Sequence, residues 1–102
     1  MLNKAIKVLR IYHSFSQQDM AEGLGLSCAG YNTIELGKVD VNFARIKELA
    51  SIYDMKPSQL IEFSECLLKP KKLARKFPEL NQTDLLRAIN NVLGQREAYE
   101  QT

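Results

Sequence analysis

The chain has 102 residues, 45% of them hydrophobic and 25% charged, the balance of one folded domain and not of a disordered, collagen-like or disulfide-dense chain. Fourteen Lys and Arg against twelve Asp and Glu leave a net charge of only +2, so an anionic partner has to be met by a local patch. No apolar stretch of about 18 residues offers a membrane span.

The N-terminal residues carry Lys4, Lys7 and Arg10 where a secretory signal needs an apolar run. Cys28 and Cys66 lie apart, without CxxC or Cys/His clustering, so no metal, cofactor or disulfide framework is expected and the chain is read as cytoplasmic. There is no phosphate-cradling glycine loop, no HExxH and no nucleophile matched to a histidine, so no catalytic residue is expected. His13 reads as a surface or capping side chain.

The predicted fold class is all-α. Glycines crowd between Gly23 and Gly37, prolines fall at Pro57, Pro70 and Pro78, and the intervals between carry helical spacing. Leu2, Ile6, Leu9 and Tyr12 predict a first helix over Leu2 to Tyr12, broken by Ser14 to Ser16. Ser16 and Asp19 form a capping box for a second helix carrying Met20, Ala21 and Leu24 and ending at Gly25. Ser27 caps a third, which buries Tyr31 and Ile34 and stops at Gly37. Asn42 caps a fourth with Phe43, Ile46, Leu49, Ala50 and Tyr53 on one stripe, and Pro57 suits the first turn of a fifth.

Charge divides the chain into three parts. Residues 1–65 hold seven basic and eight acidic groups, 66–80 hold five and one, and 81–102 hold two and three, so the net positive charge sits between Leu68 and Pro78. Residues 66–80 are therefore read as a basic linker, either solvated or placed against DNA. Residues 81–102 are read as a C-terminal helix with Asn81 or Thr83 as cap and Gly94 as stop. Its apolar residues Leu85, Leu86, Ile89, Val92 and Leu93 pack back on the domain, pair with a second subunit or bind another protein; pairing in a homodimer carries the most weight.

Two short helices crossing tightly require a small residue at the crossing, glycine at the turn and apolar side chains inward. Ala21 and Gly25 meet the first two needs; Met20, Leu24, Leu26, Tyr31 and Ile34 meet the third. The run from Ser16 to Ser27, followed by Tyr31, Ile34-Glu35 and Gly37-Lys38, resembles the Xre, or Cro/C1-type, helix-turn-helix family over residues 2 to about 65, a five-helix lambda-repressor-like domain here followed by a helical extension.

That resemblance implies binding of double-stranded DNA as a dimer, with the third helix in the major groove. Gln17 and Gln18 would then lie at the phosphates and the helix N-terminus. Ser27, Cys28, Ala29, Asn32 and Thr33 would face base edges, with Asn32 expected to bond bidentately to adenine. Lys38, Asn42 and Arg45 would hold the backbone. With Gly30 in this helix and no long side chain at positions 28 and 29, specificity is expected to rest partly on apolar contacts and DNA shape. Cys28 is either a small neutral contact or an oxidation-sensitive thiol; Tyr31 either fills an inter-helix gap or points its hydroxyl at a phosphate. Two functions follow as expectations: a transcriptional repressor, or an antitoxin-like adaptor whose tail holds a protein partner such as a toxin.

Overall fold

Leu2, Ile6 and Leu9 recur at helical spacing, and the helix they predict forms as α1 (Leu2–Tyr12). The structure, a computed structural model, describes residues 2–94 and continues through α2 (Gln17–Leu24), α3 (Cys28–Glu35), α4 (Phe43–Ile52), α5 (Pro57–Glu65), α6 (Pro70–Lys76) and α7 (Gln82–Leu93). The described residues contain helices and no strand. No helix among them is long and apolar enough to cross a membrane.

The helix ends follow from local chemistry. Ser16 Oγ accepts from the Asp19 N–H while Asp19 Oδ2 accepts from the Ser16 N–H, so the capping box satisfies two donors that the first turn leaves without helical partners. The same backbone bond from Ser16 holds the Asp19 carboxyl below its ordinary pKa. Ser27, Asn42 and Asn81 each cap the following helix through a side-chain oxygen. Gly25 ends α2 at φ 70°, a left-handed conformation that a Cβ disfavours. Between the alternatives Asn81 and Thr83, Asn81 is the cap.

α1 is central. Ala5, Ile6, Val8 and Leu9 are all fully buried, so the helix presents a wide apolar face that neighbours must cover on more than one side. α3 and α5 cover part of it, and α7 lies along the rest. The Tyr12 hydroxyl accepts from the Asn81 N–H at 2.8 Å, which pins the start of α7 to the end of α1.

Residues 66–80, expected as a basic linker, are not without packing: Cys66, Leu67, Leu73 and Phe77 are buried and Pro70–Lys76 folds as α6. Pro70 opens that helix, where a missing N–H costs nothing, and Arg75 and Lys76 sit in its last turn, where cations oppose the helix dipole. Phe77 meets Phe63 edge to face, ring centroids 5.4 Å apart.

Nor is the apolar face of α7 open for pairing. Leu85 and Ile89 are buried with Ala88 against the core, and Val92 and Leu93 are partly covered by it; only Leu86, at 43% exposure, points outward. Of the three outcomes expected for this face, packing back on the domain is the one that Leu85, Ala88 and Ile89 show, against α1. The part of the expected C-terminal helix beyond Gly94 lies outside the described residues.

Candidate nucleic-acid interface

α2 and α3 pack together through Met20, Ala21, Leu24, Tyr31 and Ile34, all buried, with Leu26 partly so. With the inner side of α3 fixed, its outer side is set by the 3.6-residue period. Cys28 and Ala29 are exposed, Asn32 and Thr33 half-buried, and Leu36 at the C-cap is 54% exposed. This stripe is the surface that could enter a groove. Leu36, which the sequence reading did not include, extends it by one turn.

Under that surface lies a buried polar network. Glu35 is only 6% exposed, and its carboxylate accepts four hydrogen bonds. Arg10 donates from Nε to Oε2 at 2.5 Å and from Nη2 to Oε1 at 3.3 Å, Tyr31 donates its hydroxyl to Oε2 at 2.5 Å, and Gln17 donates from Nε2 to Oε1 at 3.1 Å. A charge taken out of water is tolerated when it is paired and its lone pairs are filled. Among the described residues, no buried side-chain nitrogen or oxygen lacks a partner.

Burial by itself would lower the Arg10 pKa, but the hydrogen bond and charge of Glu35 outweigh it and the pKa is raised. The Tyr31 phenol is pushed far above its ordinary pKa by burial first, with Tyr53 and Glu35 adding to it. Tyr31 therefore fills the inter-helix space, and its hydroxyl is spent on Glu35 instead of a phosphate.

The expected contact residues divide into groups that face outward and groups already engaged. Gln17 does not extend its amide nitrogen to solvent: besides Glu35 it donates to Asn32 Oδ1 at 2.9 Å, so a phosphate at this helix start would meet backbone N–H groups instead. Gln18 is exposed and braced, its Nε2 donating to Glu22 and its Oε1 accepting from the Cys28 thiol. Ser27 Oγ is occupied as the cap of α3, accepting from the Gly30 N–H at 3.0 Å. A Cβ at Gly30 would stand 3.2 Å from that oxygen, so a larger residue there would crowd the cap.

The Thr33 hydroxyl donates to the Gly30 carbonyl at 2.6 Å. Asn42 Oδ1 is taken by the Arg45 N–H. Arg45 is tied back as well, donating to the Leu24 carbonyl and to Glu48, both at 3.1 Å, so it braces α4 against the end of α2. Lys38 alone among the expected backbone contacts is an exposed cation without an ion pair among the described residues. Beside it Val39 and Phe43 are exposed apolar side chains, with the Lys47 ammonium 5.7 Å from the Phe43 ring centre.

His13, expected as a surface or capping side chain, is half-buried and stacks with Phe15 and with Tyr53, ring centres 5.5 Å away in both cases. Burial lowers its pKa below 6.5 against a smaller raising effect from Asp54. The unfolded chain then binds a proton more readily than the folded one, so this contribution to stability is full above about pH 6.5 and is lost as pH falls toward the folded-state pKa. Urea unfolding from pH 8 to 5 is expected to show that decline, and His13→Phe to flatten it.

Residues 5–65 match the Cro/C1-type HTH DNA-binding domain. No curated protein and no solved structure matches the chain. The matched segment covers well over half of the residues and contains α2, α3 and the network beneath them; the chain belongs to the family of Cro/C1-type HTH DNA-binding domains.

Proposed function

We propose that the protein is a sequence-specific regulator of transcription that binds double-stranded DNA as a homodimer and represses by occluding a promoter. The observation that carries this reading is the division of α3 into two faces. Tyr31, Ile34 and Glu35 are locked inward, while Cys28, Ala29, Asn32, Thr33 and Leu36 form a continuous outer stripe of small, polar and apolar groups. Those side chains fit base edges and thymine methyl groups in a major groove better than they fit phosphates.

An eight-residue helix is about 12 Å long and spans only about four base pairs at roughly 3.4 Å each. Selecting one operator therefore favours two copies on a pseudo-palindrome, with half-site centres about 34 Å apart. The antitoxin-like alternative places a partner on the tail, residues 66–102, where Leu85 and Ile89, expected to serve either a second subunit or a partner, are buried within the chain.

Selection from a random duplex library at near-physiological salt tests the proposal. It is expected to enrich an inverted repeat with half-site centres about 10 base pairs apart. Asn32→Ala is expected to lose discrimination at one position per half-site, whereas Lys38→Ala weakens all sequences alike. Absence of any motif, with retention abolished by modest salt, would leave only non-specific phosphate attraction and contradict the reading.

A further inference from the structure

We infer that Asn32 reads its base as a hydrogen-bond donor only, selecting guanine over adenine at one position of each half-site. The inference rests on the base-reading role proposed for α3, and it replaces the adenine fork expected from the sequence. It follows from a chain of groups in which each has one workable orientation.

Arg10 carries donors and no acceptor, and it fixes the Glu35 carboxylate from one side while Tyr31 fixes it from another. The carboxylate is an acceptor on both oxygens, so Gln17 must meet it through Nε2, as it does at 3.1 Å; the reversed amide would set oxygen against oxygen. Nε2 carries two hydrogens, and the second goes to Asn32 Oδ1 at 2.9 Å. Reversing Asn32 would set its amino group against that of Gln17, donor against donor. The buried charge thus fixes two amides in series, and Asn32 keeps its oxygen on Gln17 and its Nδ2 without a partner among the described residues.

A free asparagine matches adenine with a fork, Oδ1 accepting from N6 and Nδ2 donating to N7. Here one lone pair of Oδ1 is already engaged by Gln17, while the two Nδ2 hydrogens have no partner among the described residues. Guanine offers two adjacent acceptors, N7 and O6, to those hydrogens; adenine puts an amino donor where O6 would be. Gln17 acts on this choice as a positioning residue, through Asn32.

The test is selection from a random duplex library with the full chain, the wild type beside Asn32→Asp and Gln17→Ala. The wild type is expected to prefer guanine over adenine about 10-fold at one half-site position. Asn32→Asp presents an acceptor outward, so that position alone is expected to move to cytosine, whose N4 donates. Gln17→Ala frees the fork and is expected to bring adenine at least level with guanine there, whereas a purely structural role for Gln17 would weaken every position alike.

Adenine enriched by the wild type at the position that Asn32→Asp alters, or guanine preference unchanged in Gln17→Ala, would overturn the inference while leaving the DNA-reading function intact. A uniform loss across sequences in Asn32→Asp would overturn it too, marking a phosphate contact. A wild-type library without any enriched site would remove the underlying function and the inference together.

Discussion

Replacing Glu35 by alanine is expected to destabilise the protein by about 3–5 kcal/mol, since it leaves the Arg10 guanidinium with no counter-charge and takes the acceptor from Tyr31 and Gln17. Arg10 and Glu35 side chains are only 13% and 3% exposed, so water cannot readily replace what is removed. Against a typical domain stability of roughly 5–15 kcal/mol, that loss is large. Urea unfolding at pH 7 measures it directly.

A companion variant separates the charge from the space it fills. Arg10→Met, Tyr31→Phe and Glu35→Leu together remove the charges and the hydroxyl while keeping volume, and are expected to regain a substantial part of the loss, because apolar packing often substitutes for a buried pair. The stable triple variant should nevertheless read DNA less selectively than wild type, since Gln17 loses the carboxylate that orients it. A Glu35→Ala loss below about 1 kcal/mol would mean that solvent reaches the network and that the paired charge does little for the fold.

Removing residues 66–102 is expected to unfold most of the helix-turn-helix domain and not simply to detach an appendage. Cys66, Leu67, Leu73, Phe77, Leu85, Ala88 and Ile89 are each at most 2% exposed, and α7 is the cover for one side of α1. Phe77→Ala alone should cost about 3–5 kcal/mol, and Ile89→Ala about 2–5 kcal/mol. Thermal melting followed by circular dichroism tests both scales. A 1–65 fragment melting within a few degrees of the full chain would contradict the packing of α7 on α1. Loss of DNA binding in such a fragment would report unfolding, and so could not by itself identify a dimerisation segment.

What could be read from the sequence was local. The capping of α2 by Ser16 and Asp19, of α3 by Ser27 and of α4 by Asn42 depends on residues within one turn of each other. The stops at Gly25 and Gly94 depend on one residue each. The inward residues of the α2–α3 crossing were legible for the same reason. What escaped depended on partners far away in the chain. Glu35 shows in the sequence only as part of the helix-turn-helix motif, and its burial follows only once Arg10, 25 residues earlier, is placed against it. Gln17 reads as a phosphate contact until Glu35 and Asn32 claim its amide.

α6 escaped because its one apolar pair, Leu73 and Phe77, is submerged among Lys71, Lys72, Arg75 and Lys76. The destination of α7 did leave a trace: Ala5 and Val8 join Ile6 and Leu9 to make α1 apolar over more than one face, a width that calls for a second cover. Leu36 has no place in the inward pattern of Tyr31 and Ile34; it falls after the last inward turn and faces out.

The proposed function stands on the outer stripe of α3 distinguishing one duplex sequence from another. Its most direct test is a titration, by fluorescence anisotropy at near-physiological salt, of the selected inverted repeat against a scrambled duplex of equal length, with wild-type and Asn32→Ala protein. Wild type is expected to bind the repeat at least 10³-fold more tightly, the lower range for specific recognition, and Asn32→Ala to narrow this ratio while leaving affinity for the scrambled duplex unchanged. Equal affinity of wild type for both duplexes, or equal losses on both in Asn32→Ala, would contradict it.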